Sequence, residues 1–193
     1  MNIYTIGHSN HPIERFLELL QQHQITAVVD VRSTPYSRRN PQFNSQQLSA
    51  TLKALSIAYV ALGKELGARS EDPTCYEAGR VQYRRLAETA LFNQGIERVL
   101  AGTARYRVAL MCAEKEPLDC HRTLLVSRAL ETRGASVMHI LADGQLEAHS
   151  QTMSRLIAKM GLAKGDLFAD RDQLIDQACA IHEQKIAYRL PSS

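Results

Sequence analysis

Apolar and polar residues along the chain switch between two periods. Residues 2–7, "NIYTIG", are a short β-rich run; Ile13, Phe16, Leu17 and Leu20 then recur at helical spacing in "IERFLELLQQH", behind Pro12. "ITAVVDVR" at 25–32 carries consecutive apolar residues, the pattern of a strand covered on both faces. "STPYSRRNPQFN" at 33–44 reads as loop from its prolines, asparagines and serines, and "SQQLSATLKAL" as a helix capped near Asn44 or Ser45. "IAYVAL" at 57–62 is a third strand, and 63–79, rich in glycine and charge, a long surface excursion. "VQYRRLAETALFNQGIERVLAGTA" at 81–104 predicts one or two helices broken near Gly95. "YRVALMCA" at 106–113 is the strongest strand signal, "CHRTLLVSRALETRG" a helix with Gly134 just beyond its end, and "SVMHIL" a further strand.

This βα alternation predicts a three-layer α/β sandwich with a mostly parallel sheet of about five strands, followed by C-terminal helices at 149–161 and 170–187. The 193 residues fit one domain, spanning 1–193, with a motif-bearing core at 3–144 and a helical extension at 149–187. An apolar fraction of 45% and a charged fraction of 22% are those of a soluble globular chain. A formal charge of +3 is too small to argue for nucleic-acid binding by itself. The N-terminus lacks the basic and apolar regions of a leader, and no stretch has the length of a membrane span, so the expected location is cytoplasmic, away from membranes.

Three polar clusters directly follow predicted strands: Gly7-His8-Ser9, Asp30-Val31-Arg32 and Cys112-Ala113-Glu114. In a parallel α/β sheet they meet at the carboxyl edge, where ligands bind. Asp30 is placed to orient Arg32, and Pro35 and Pro41 stiffen a loop bearing Ser37, Arg38 and Arg39, a set suited to phosphate or carboxylate oxygens. In "MCAEKEPLDCHR", Asp119 is the expected helix cap and Cys120 the first helical residue, where the helix dipole acidifies a thiol.

Several uses of that segment stay open. Cys120 or Cys112 is a candidate nucleophile beside His121. Alternatively Cys112, Cys120, His121 and His8 supply sulfur and nitrogen donors of the kind zinc or iron accepts, although the spacing matches no standard zinc module. A Cys112–Cys120 disulfide is a third use, disfavoured in a reducing compartment, and ordinary core and turn packing a fourth. Cys179, in "LIDQACAIHEQ", reads as helix packing.

"YTIGHS", "VDVRSTPYSRRNPQFN", "LGKELGAR" and "ALMCAEKEPLDCHR" together resemble the DUF488 family, a widespread, mostly bacterial family of unknown function. Residue 68 is Ala where that family commonly has a second glycine. The resemblance covers about residues 3–144 and implies an α/β fold. It also implies one site made of His8, Ser9, Arg32, Ser37, Arg38, Cys112, Glu114, Cys120, His121 and Arg122. It names no reaction.

The leading expectation is an enzyme acting on a phosphorylated or nucleotide-like anion. Ser9, Arg32, Ser37, Arg38 and Arg122 would hold the substrate, a cysteine would attack, and Glu114, His121 or His8 would exchange protons. Two alternatives are a nucleic-acid-binding or nucleic-acid-processing protein using Arg32, Arg38, Arg39, Arg80, Arg84 and Arg85, and a metal-binding or redox-sensing protein. Apolar faces on the C-terminal helices would favour a homodimer.

Overall fold

The computed structural model describes residues 1–162 and 170–191. Its centre is a six-stranded sheet made of β1 (Asn2–Gly7), β2 (Ala27–Asp30), β3 (Ala58–Ala61), β6 (Val108–Cys112), β7 (Ser136–Ile140) and β8 (Leu146–Ala148). Its spatial order is β3-β2-β6-β1-β7-β8, and every pairing is parallel except that of β8 with β7. The sixth strand corrects the expected five. β8 has only three residues, "LEA", too few to show an alternation, and is made a strand by a turn at Gly144 with φ +94°.

Helices cover both faces. On one, α1 (Ile13–Gln22) and α2 (Ser45–Ala54) bury Phe16, Leu20, Leu48 and Leu52 against Tyr4, Ile6, Val28 and Met111. On the other, α5 (Ala90–Gly102), α6 (Arg128–Glu131), α7 (His149–Lys159) and α8 (Arg171–Ile186) cover Ile3, Val29 and Leu110. Successive strand residues thus enter opposite cores, and β2 and β6 are buried at every position. That is why both strands read as unbroken apolar runs.

The predicted break near Gly95 lies elsewhere. α4 (Tyr83–Glu88) ends at Thr89, whose hydroxyl accepts from the Phe92 N–H and starts α5. Gly95 is inside α5, where a Cβ would sit 2.8 Å from a methyl of Leu66 on α3 (Gly63–Leu66); the glycine serves helix contact. Asn44 precedes α2, but its Oδ1 accepts from the Ser37 N–H and leaves the helix uncapped by its side chain.

The 63–79 excursion is more ordered than its composition suggests. After α3 comes a turn at Pro73–Cys75 and a small hairpin of β4 (Tyr76–Glu77) with β5 (Arg80–Val81). The C-terminal strap bonds to that hairpin: Val81 N–H donates to Tyr188 O at 3.0 Å and Leu190 N–H to Gly79 O at 2.8 Å. No helix among the described residues is long and apolar enough to cross a membrane.

The topology creates a crevice between β1 and β6. From β1 the chain crosses over β6 to β2, on the face of α1; from β6 it crosses over β1 to β7, on the opposite face. At such a switch point the carboxyl ends of neighbouring strands are left uncovered for a ligand. Gly7 stands in register with Cys112 there. A Cβ at Gly7 would lie 1.9 Å from the Glu114 carbonyl oxygen, so the loop after β6 folds over a position that only glycine can occupy.

Candidate active site

The loop from Cys112 to His121 is held from above and below. His8 N–H and Ser9 N–H donate to the carbonyls of Cys112 and Ala113, both at 2.9 Å, continuing the β1–β6 pairing into the loop. Beneath it, Arg122 is fully buried and donates to the Glu114 carbonyl at 2.7 Å, the Lys115 carbonyl at 3.4 Å and Thr5 Oγ1 at 3.4 Å. The Thr5 hydroxyl in turn donates to His139 Nδ1 at 2.7 Å, leaving His139 Nε2–H to donate to His149 Nδ1 at 3.0 Å. A charged side chain is thereby sealed in the interior with all partners neutral.

The expected cap is not Asp119. Glu116 accepts from Leu118 N–H to form a turn at Pro117–Asp119, whose Asp119 carboxylate faces Lys159 and His182. Cys120 is extended, at φ −135° and ψ 139°, and its Sγ accepts from Arg122 N–H at 3.4 Å, so the sulfur itself stands at the helix start. The helix opens with a wide π-helical stretch, Arg122–Ser127, before α6; Ser127 Oγ donates to the Arg122 carbonyl at 2.7 Å. Such wide turns recur at functional sites.

Four side chains converge here. Cys112 Sγ lies 3.7 Å and Cys120 Sγ 3.9 Å from His121 Nδ1, and Glu114 Oε2 lies 2.9 Å from Cys120 Sγ. One donor atom from each of Cys112, Glu114, Cys120 and His121 falls within 4.8 Å of all the others. His121 Nε2–H donates to the Val31 carbonyl at 3.1 Å, which turns Nδ1 toward the sulfurs. All four cysteines of the chain are free thiols.

The electrostatics separate the two site thiols. Burial pushes the Cys120 thiol up, but hydrogen bonding to Cys112 and the charges of Arg122 and His121 outweigh it and hold it well below the usual range. Hydrogen bonding to Cys120, burial and the adjacent negative charge push Cys112 up. Burial lowers His121, yet the Cys120 charge beside it raises it on balance. Burial and Cys120 raise the Glu114 carboxyl. By contrast Cys179 is packing: its Sγ is 4.0 Å from Met153 Sδ, and burial raises it to about 11.

A cavity of about 230 Å³ opens over this cluster, with Cys112, Glu114 and His121 on its floor and Arg32, Arg69, Tyr83 and Tyr188 in its walls. Arg32 is clamped from behind: Nε and Nη2 donate to Asp30 at 2.9 and 2.6 Å, Nη2 to the Phe43 carbonyl at 2.8 Å and Nη1 to His8 Nε2 at 3.0 Å. One of its five N–H groups remains for a ligand.

His8 is stacked on Phe43 with ring centroids 4.4 Å apart, and its Nδ1–H donates to the Ser9 carbonyl. Burial and Arg32 lower His8 to about 4. Both of its nitrogens are engaged, so the structure does not bring it into the donor cluster where it was expected; Glu114 takes that place.

The other expected residues divide. Ser9 and Ser37 line an adjoining hollow with Asn40, Tyr36 and Lys115, which shares Arg32, Arg69 and Glu114 with the main cavity. Arg38 is exposed on its loop and lines neither hollow. Arg122 lies under the floor. Of the wider arginine set, Arg84 pairs with Glu88, and Arg85 donates to the carbonyls of Thr74 and Tyr76 and pairs with Glu77.

Sequence reading missed Arg69, Tyr83 and Tyr188. Arg69 ends the "LGKELGAR" motif, which was the available signal; its guanidinium lies 4.6 Å over the Tyr188 ring, and no carboxylate among the described residues pairs with it. Tyr188 had none, because only the return of the C-terminal strap brings it to the cavity.

No curated protein and no solved structure matches the chain. The model of one family, described as domain of unknown function DUF488, matches residues 12–129, more than half of the sequence and the segment holding Arg32, Arg69 and the whole Cys112–Glu114–Cys120–His121 cluster. On that match the chain belongs to the DUF488 family.

Proposed function

We propose that this protein is an enzyme that draws a phosphorylated or nucleotide-like anion into the cavity and transforms it over the Cys112–Glu114–Cys120–His121 cluster. The observation that carries this reading is the pairing of a reactive floor with a cationic wall in one concave site: Cys112, Glu114 and His121 below, Arg32 and Arg69 at the side. Arg69 is the exposed anion clamp, with Tyr188 beneath its guanidinium, and Arg32 is the buried one, pre-oriented by Asp30. Glu114 exchanges the proton: its carboxyl reaches the cavity, and burial and Cys120 raise it above its ordinary value, the direction that favours a general acid. The substrate is a small molecule, in keeping with a cavity of about 230 Å³.

Thermal-shift screening of phosphomonoesters, nucleotides and short oligonucleotides tests the binding half. A compound of the first two kinds should stabilise the wild type and much less so Arg69→Ala, and Glu114→Gln should bind it while turning it over about a hundredfold more slowly. If no anionic compound stabilises the protein, or Arg69→Ala binds as well as wild type, the reading is wrong.

A further inference from the structure

We infer that Cys112, Glu114, Cys120 and His121 bind a single zinc ion, with the two sulfurs and the imidazole as permanent ligands and Glu114 as an exchangeable fourth. This deepens the reading above by naming what the floor of the cavity holds, and it is tested without any substrate.

The four donors are already gathered for one ion, each within 4.8 Å of the other three. Zinc bonds of about 2.0 to 2.3 Å place neighbouring donors roughly 3.3 to 3.8 Å apart. The separation from His121 Nδ1 to Cys112 Sγ, 3.7 Å, falls in that range, and that to Cys120 Sγ, 3.9 Å, is just beyond it. Cys120 Sγ donates to Glu114 Oε2 at 2.9 Å, and a cation in place of that proton sets the two atoms a few tenths of an ångström further apart.

The donor types select the ion. Two thiolates, an imidazole and one carboxylate suit zinc; magnesium and calcium require oxygen shells that the cluster does not offer.

Three features outside the cluster point the same way. His121 donates Nε2–H to the Val31 carbonyl, the outer-shell bond that fixes the tautomer of metal-binding histidines and aims Nδ1 at the ion. Arg122 N–H donates to Cys120 Sγ, as backbone amides do to metal-bound sulfur. Charge also closes: zinc with the Arg122 guanidinium beneath the loop balances two thiolates and one carboxylate, and the hydrogen-bond acceptors of Arg122 are all neutral.

Access distinguishes the ligands. Cys120 is sealed behind the floor while Glu114 is exposed toward the cavity, so Glu114 is the ligand that water or a substrate oxygen can displace. Three fixed protein ligands with an open fourth position is the arrangement of a reactive zinc centre.

The experiment uses the untagged full chain, produced with zinc and iron both present, dialysed, and assayed by inductively coupled plasma mass spectrometry. Wild type should carry close to one zinc per chain, and Cys112→Ser and Cys120→Ser about tenfold less or lower, with circular dichroism confirming their fold. Should a cysteine variant not fold, cobalt(II) added to chelator-treated wild type decides, because thiolate ligation gives an intense near-ultraviolet charge-transfer band. Folded wild type with no zinc and no cobalt band overturns the inference, as do iron in place of zinc and cysteine variants that retain full zinc. Zinc bound without any anionic ligand leaves the inference standing and removes the proposed function; an anionic ligand bound without zinc does the reverse.

Discussion

Arg122 Nη1 donates to the backbone carbonyl of Glu114 at 2.7 Å, so the buried cation grips the loop that carries the site's carboxylate. It therefore has two effects, one on the fold and one on the chemistry. Arg122→Met leaves two loop carbonyls and Thr5 without their donor and should cost about 3 kcal/mol in urea unfolding. Removing its charge should also raise the Cys120 thiol, moving the pH profile of thiolate ultraviolet absorbance in chelator-treated protein upward. An unmoved profile would show that the guanidinium does not act on the sulfur.

Three histidines are held neutral in the interior. Burial and Arg32 lower His8 to about 4, burial and Arg128 lower His149 to about 4, and burial with His149 and Arg122 lowers His139 well below its ordinary value. An unfolded chain protonates these rings near the ordinary 6.5, before the folded one does, so it binds more protons in that window. Their contribution to stability is complete above pH 6.5 and is lost as pH falls toward about 4, at up to about 1.4 kcal/mol per pH unit for each ring. Urea midpoints measured across this window should decline, less steeply in His149→Asn, which keeps an acceptor for His139 Nε2–H and removes one titrating group.

Gly7→Ala is a steric test of the crevice. The added carbon would lie 1.9 Å from a carbonyl oxygen of the loop, and backbone on both sides leaves no side chain to yield. The expected cost is about 3 kcal/mol with loss of the cavity floor's geometry. A variant as stable as wild type would mean that the 112–121 loop does not sit over β1.

Asp30 and Tyr59 should differ sharply. Asp30 is buried and accepts from Arg32 Nε, Nη2 and N–H and from the Tyr59 hydroxyl. Asp30→Asn leaves a buried guanidinium uncompensated, worth about 4 kcal/mol, while Tyr59→Phe removes one hydrogen bond to a charged acceptor, about 2 kcal/mol. Equal costs in chemical denaturation would contradict this hierarchy.

The helices and the parallel strands were legible because each repeats a period over enough residues to stand out. The apolar run of β6 and the spacing of Phe16 and Leu20 on α1 are examples. β8 was not legible, since a three-residue strand has no period, and Gly95 misled because glycine serves close helix contact as well as helix ends. The site was half legible: the strand-end rule put Cys112, Glu114 and Arg32 on one edge, and Cys120 and His121 were read as chemistry from their crowding.

By itself, then, the sequence determined the α/β alternation and the segment where the chemistry lies, because periodicity and strand-end position are local properties of the chain. The tertiary structure decided the role open to each residue. It put Arg122 under the floor and Arg69 in the wall, engaged both nitrogens of His8, and brought Glu114 to the sulfurs. These assignments depend on which hydrogen-bonding groups meet across separations such as the 117 positions from Thr5 to Arg122, and such meetings follow from packing rather than from spacing along the chain.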